Sequence, residues 1–97
     1  MANVCSNEMY VESPNKEALN AIREYIDNWG NAIVEEIDEC SCEYYFDSRW
    51  DFPKASMEEM TNSIKDTEGL YIRVLSVEKW NYYCAFNVFE NGVWETK

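Results

Sequence analysis

From Cys42 to Asp51 the chain reads differently in its two alternating registers. One register holds Cys42, Tyr44, Phe46, Ser48 and Trp50; the other holds Glu43, Tyr45, Asp47, Arg49 and Asp51. Period-two patterning of this kind belongs to a β-strand with one face on a core and one in water. Such a strand needs neighbours to bond its backbone and helices to cover its apolar row, which narrows the chain to a sheet covered on one face.

The flanking segments supply those partners. In Glu8–Ser13, Met9 and Val11 can face a core, with Glu8, Tyr10 and Glu12 opposite. Ser13 is expected to cap a helix with Pro14 at its first position, where the missing N–H costs nothing. Ala18, Leu19, Ile22, Tyr25, Ile26 and Trp29 then recur at three- and four-residue steps, an apolar stripe whose Ile22 and Ile26 should be buried against the sheet. Gly30 is expected to stop that helix. Asn31–Glu39 reads either as helix continuation or as a strand leading into a hairpin at Glu39, Cys40 and Ser41. The strand after it is expected to run on to Pro53. Ser56 with Glu59 forms a capping-box pattern, Met57, Met60 and Ile64 form a second stripe, and Gly69 is expected to end that helix. "LYIRVLSV" and "YYCAFNVF" are strand-like runs joined by "EKWN", and Asn91-Gly92 favours a tight turn that folds Val93 and Trp94 back as a short strand. The expected architecture is one α+β domain over residues 1–97. It is ferredoxin-like, β-α-β-β-α-β with an added short C-terminal strand, its antiparallel sheet carrying two helices on one face.

Charge decides what such a sheet can meet. Nineteen acidic residues against eight basic ones give a net charge of -11. That surface repels phosphates and anionic lipid and attracts basic partners, so neither direct nucleic-acid binding nor membrane binding is expected. No apolar run approaches the roughly 20 residues of a membrane span, and "MANVCSNEMYVESP" lacks the layout of a signal peptide. The expected location is the cytoplasm, that of the host cell if the protein is phage-encoded.

Catalysis finds little support in the residue inventory. With no histidine, the usual base near neutral pH is missing. Gly30, Gly69 and Gly92 lie in no phosphate-cradling loop. Asp47 and Asp51, four apart on one strand, would be separated by about 13 Å, wider than a glycosidase pair. Cys5, Cys40, Cys42 and Cys84 show no paired zinc spacing, and a reducing compartment disfavours disulfides, so they read as reduced, buried thiols without metal. "EEIDE" lacks the alternating acids and glycine turn of a calcium loop. No cofactor, metal or catalytic residue is expected. A small enzyme or metal-binding protein stays as the second alternative.

"NVCSN" (Asn3–Asn7), "WGN" (Trp29–Asn31) and "FDSRWDFP" (Phe46–Pro53) together resemble the YubB ferredoxin-like domain family. That family carries Asn-Trp-Cys-x-Asn, Trp-Gly-x-Lys-Trp-Asp and Phe-x-Thr-x-Trp-x-x-Pro; here Val4 stands in place of the first Trp, and nothing after Gly30 matches Lys-Trp-Asp. The resemblance implies a ferredoxin-like fold and a plasmid, phage or integrative-element setting. It implies no activity.

RNA recognition motifs share this plan and stack bases on open-face aromatics, a role Tyr10, Tyr45 and Tyr71 could fill. Their neighbours would be Glu8, Glu12, Glu43 and Asp47, opposed by only Arg49 and Arg73, so phosphates would meet carboxylates. Glu35, Glu36, Asp38, Glu39, Glu43, Asp47 and Asp51 place seven acids within seventeen residues, against Arg49 alone. A charge run of this kind can simply be a solvated face. The interleaved tyrosines favour an interface, and strand residues of one register sit roughly 7 Å apart, about two phosphate steps of a DNA strand. The expected function is inhibition of a basic host protein, such as a CRISPR effector or another nucleic-acid-binding defence protein, by nucleic-acid mimicry. The expected contact residues are Glu8, Tyr10, Glu12, Glu35, Glu36, Asp38, Glu39, Glu43, Tyr45, Asp47, Asp51 and Tyr71. The alternative is a protein-interaction or regulatory domain without mimicry. Oligomeric state stays open.

Overall fold

Each alternating run becomes a strand in the computed structural model, which describes residues 4–29, 32–49, 51–78 and 83–97. In chain order the elements are β1 (Val4–Glu12), α1 (Lys16–Asp27), β2 (Ile33–Asp38), β3 (Ser41–Arg49), α2 (Lys54–Asn62), β4 (Tyr71–Glu78), β5 (Tyr83–Glu90) and β6 (Val93–Thr96). Among the described residues the strands form one antiparallel sheet in the order β2-β3-β1-β4-β5-β6. β1 lies between β3 and β4, so α1 carries the chain past β3 to reach β2, and α2 carries it past β1 to reach β4.

Both helices pack on one face. Ala18, Ile22 and Ile26 of α1 and Met57 and Met60 of α2 are buried in one cluster with Met9, Val11, Tyr44, Phe46, Ile72, Val74 and Phe89. Trp29 meets Phe46 edge-on at 4.9 Å. Trp94 of β6 packs on Phe52 and Phe89, and its indole N–H donates to Thr61 Oγ1 at 3.2 Å, so the last short strand is pinned to α2. The Asn91-Gly92 turn has positive φ at both residues, 56° and 82°, as a tight hairpin of that type requires.

The element boundaries differ from the sequence expectation for identifiable reasons. Ser13 does not cap α1. Its N–H donates to Cys40 O at 2.9 Å, holding it at the sheet end beside the β2–β3 turn, and Asn15 caps instead by accepting the Glu17 N–H. Pro14 therefore stands before the helix. α2 begins directly after Pro53 with no side-chain cap, so Ser56 falls inside its first turn rather than ahead of it. It ends at Asn62, seven residues before Gly69. There Thr61 Oγ1 bonds the Met57 and Glu58 carbonyls and Ser63 Oγ bonds Met60 O, so local hydroxyls satisfy the last-turn acceptors. Gly69 serves a different purpose: at φ +76° an added Cβ would lie 2.9 Å from Pro14 Cδ.

Ile33–Asp38 is a strand, which settles the ambiguous segment, and the Glu39–Cys40 hairpin follows as expected. β3 ends at Arg49 rather than at Pro53. The expected stop at Gly30, Trp50 on the aromatic row, and the Lys79–Asn81 part of the "EKWN" turn lie outside the described residues.

Ile22 and Ile26 are both fully buried against the sheet. Ile22→Ala should lower stability by about 2–4 kcal/mol in urea unfolding, through lost burial and the cavity left behind. A change under about 0.5 kcal/mol would contradict this packing.

Candidate functional site

The face away from the helices collects residues from every strand. β1 presents Glu8, Tyr10 and Glu12, and β3 presents Glu43, Tyr45 and Asp47. The pairing sets Glu8 opposite Tyr45, Tyr10 opposite Glu43 and Ser6 opposite Asp47. Carboxylates and phenols thus alternate both along and across these two strands. β2 extends the pattern, with Glu35 directly opposite Glu43. Like charges facing each other across a ladder cost up to about 1 kcal/mol, so this pair does not serve folding.

Hydrogen bonds tie the phenols to the acids. Tyr45 donates to Glu43 Oε2 at 2.6 Å and Tyr10 donates to Glu12 Oε1 at 2.9 Å. The bond to Glu43, then loss of water, then the nearby carboxylates push the Tyr45 phenol up to about 12. Tyr10 is raised as well, first by its bond to Glu12. On the other side Tyr71 meets Tyr10 edge-on at 6.4 Å, and the Arg73 guanidinium lies 4.3 Å above the Tyr10 ring. The Tyr10 and Tyr45 phenols stay neutral donors at physiological pH, and the carboxylates beside them accept from cations.

Eight of the twelve expected contact residues share this face: Glu8, Tyr10, Glu12, Glu35, Glu43, Tyr45, Asp47 and Tyr71. The other four do not. Glu36 falls on the helix side with Val34, where it pairs with Arg23 of α1. A bulge between Glu36 and Asp38 breaks the alternation there. Asp38 turns into the hairpin, where its Oδ1 accepts from Cys40 N and Ser41 Oγ; those bonds hold its carboxyl below the ordinary value. Glu39 is exposed in the same turn, and Glu36, Asp38 and Glu39 line a helix-side cavity of about 240 Å³ with Lys16 and Arg23. Asp51 lies in the bend after β3, its N–H on Arg49 O, so Asp47 and Asp51 do not share a strand. Counting charges along the chain grouped residues that the register separates.

Two features escaped the sequence reading. One is an apolar half of the open face: Leu75 of β4 and Phe86 of β5 are paired across the ladder and each 36% exposed. Tyr71, Arg73, Leu75 and Val77 alternate with Ile72, Val74 and Ser76, so both rows of β4 contain apolar residues and periodicity does not rank them. The other is a buried polar group on the helix side. Asn7 donates to Ser48 Oγ at 2.9 Å and to Phe46 O at 3.3 Å, and accepts from Ser76 Oγ at 2.7 Å. Cys5 and Glu78 are fully buried on the same side, and burial raises the Cys5 thiol. The Asn of "NVCSN" was visible as a motif residue, but its partners on β3 and β4 are 39 to 69 positions away.

Among the described residues no three His, Cys, Asp or Glu side chains gather where they could hold a metal ion, and no helix is long and apolar enough to cross a membrane. A scan against protein-family models finds no match, and searches of curated proteins and of solved structures find none either.

The cysteines are not all buried, as the sequence had implied. Cys40 sits in the exposed hairpin and Cys84 on the open face, whereas Cys5 and Cys42 are buried. A thiol reagent should therefore modify Cys40 and Cys84 in the native protein, and Cys5 and Cys42 only on unfolding. Prompt native labelling of Cys5 would contradict this burial.

Tyrosine titration offers a separate check. Tyr45 keeps its proton in the fold above the pH near 10 where an unfolded phenol loses it. Its contribution to stability is therefore complete below about pH 10 and is lost as pH rises through about 12. In ultraviolet titration, Glu43→Gln should shift one phenol to lower pH; an unchanged curve would mean that the Glu43 contact does not hold the proton.

Proposed function

We propose that this is a ferredoxin-like interaction protein of the mobile-element setting, which inhibits a basic, nucleic-acid-binding host defence protein, as an anti-CRISPR does. The open sheet face carries the reading. On it Glu8, Glu12, Glu35, Glu43 and Asp47 cluster over three adjacent strands, interleaved with Tyr10 and Tyr45, at some cost to the fold at Glu35 and Glu43. Carboxylates spaced roughly 7 Å apart along a strand stand in for phosphates, and the phenols pack against whatever lies between the partner's cations. Within the sheet order, β2-β3-β1-β4 with its two crossing helices is the ferredoxin-like unit, and β5 and β6 extend its edge. The YubB-like "NVCSN" and "FDSRWDFP" stretches support the mobile-element setting.

A second reading, interaction without mimicry, draws on Leu75 and Phe86, since phosphate mimicry has no use for an exposed apolar pair.

The test is inhibition of a purified CRISPR effector's nucleic-acid loading across a salt series. Mimicry predicts inhibition that weakens as salt rises, because exposed charges are screened beyond roughly 8–10 Å near physiological ionic strength. Glu43→Lys with Asp47→Lys should remove it while leaving the urea midpoint near wild type. If the double reversal inhibits as well as wild type at low salt, the acids only solvate this face and the reading without mimicry takes over.

A further inference from the structure

The open face has two halves of different chemistry. β2, β3 and β1 carry the carboxylates, with Ile33 exposed at the outer strand opposite Tyr45; β4 and β5 carry the half-exposed Leu75, Val77 and Phe86. Leu75 touches both halves by register, with Glu8 opposite on β1 and Phe86 opposite on β5. At that boundary lies a shallow cavity of about 170 Å³, lined chiefly by Glu8, Tyr10, Glu43, Arg73, Leu75 and Phe86. The chain's own Arg73 lies over Tyr10 there, showing that a guanidinium fits against this aromatic wall beside the acids.

We propose that the face is a two-part docking surface whose occupant is a protein segment with Lys or Arg along one side and an apolar ridge along the other. This deepens, and rests on, the reading of the acidic half as an interface. Charge complementarity selects the occupant. Cations of the segment meet Glu8, Glu35, Glu43 and Asp47, while their methylene stems and the apolar ridge cover Leu75 and Phe86. Nucleic acid is repelled by the acidic half. A second copy of this chain fits no better: stacked face to face, its carboxylates would meet either the same acids or Leu75 and Phe86, and buried acids without cations are costly. An amphipathic basic helix satisfies both halves at once.

The experiment compares two probes of equal charge: an oligolysine, and a helical Lys/Leu peptide of roughly 18 residues with all leucines on one face. Binding is followed by fluorescence titration and by amide shifts. The amphipathic peptide should bind roughly tenfold more tightly than oligolysine and should shift Leu75 and Phe86 as well as Glu8 and Glu43. Leu75→Thr with Phe86→Thr should reduce it to the oligolysine level and leave oligolysine binding unchanged, threonine being a good strand residue at an exposed site. Should the double variant not fold, Leu75→Thr alone carries the same comparison. Equal binding of both probes, with shifts confined to Glu8, Glu43 and Asp47, overturns the proposal and leaves the acidic interface standing. If neither probe binds at low salt, the acidic interface fails with it. Self-association of the wild type that disappears in the threonine variants also overturns the proposal, with a second copy as the occupant.

Discussion

The buried amide of Asn7 holds the register on which every other assignment depends. β1 is an inner strand with β3 on one side and β4 on the other, and Asn7 bonds to both: Phe46 O and Ser48 Oγ across one ladder, Ser76 Oγ across the other. A slip of one residue would exchange the two rows of a strand. In β1 that would send Glu8, Tyr10 and Glu12 into the helix-covered core and Met9 and Val11 into water. It would also carry the Asn7 amide to the open face and leave the buried Ser76 hydroxyl without its acceptor, at a cost of about 1–3 kcal/mol for a buried group stranded. Apolar burial and polar pairing therefore select the same register.

With the register held, the division of labour between the faces follows. The helices of twelve and nine residues cover one face of a six-stranded sheet and leave the other to water. Apart from the polar group around Asn7, the covered face is aliphatic and aromatic, and it supplies the stability. The open face can then carry Glu35 against Glu43, because a penalty of that size is small beside the gain from burying Ile22, Ile26, Met57 and Met60. It can also carry Leu75 and Phe86 half in water. The acids and the exposed apolar pair are both features that folding does not require, and they adjoin one another at Glu8 and Leu75.

Much of the fold could be read from local pattern. The rows of β1 and those of β3 as far as Arg49, the stripe of α1 and the Asn91-Gly92 turn are each determined within about ten residues, and these stand as expected. What could not be read depends on distant partners. Ser13 is held at the sheet end by its N–H on Cys40 O while its hydroxyl accepts from Asn15 N, so Asn15 caps α1, and Ile33–Asp38 became a strand because β3 was there to pair with it. The site was legible to the same extent. Glu8, Tyr10, Glu43, Tyr45 and Asp47 were placed correctly because their strands alternate cleanly. Glu36 was misplaced because an acid beside a bulge carries no label for its face, and Leu75 went unnoticed because both rows of its strand contain apolar residues.

Carboxyl footprinting with a carbodiimide and an amine tests most directly whether the open-face acids form an organised site. It would be run on the free protein and again with saturating oligolysine. In the free protein Glu8, Glu35, Glu43 and Asp47 should label readily, as should Glu17, Glu58 and Glu59 on the helices, while buried Glu78 should resist. With oligolysine bound, labelling should fall on the open face and persist on Glu17, Glu58 and Glu59. Protection spread evenly over all exposed carboxylates would contradict the account, since the net charge of -11 would then act as a diffuse shell with no site in it.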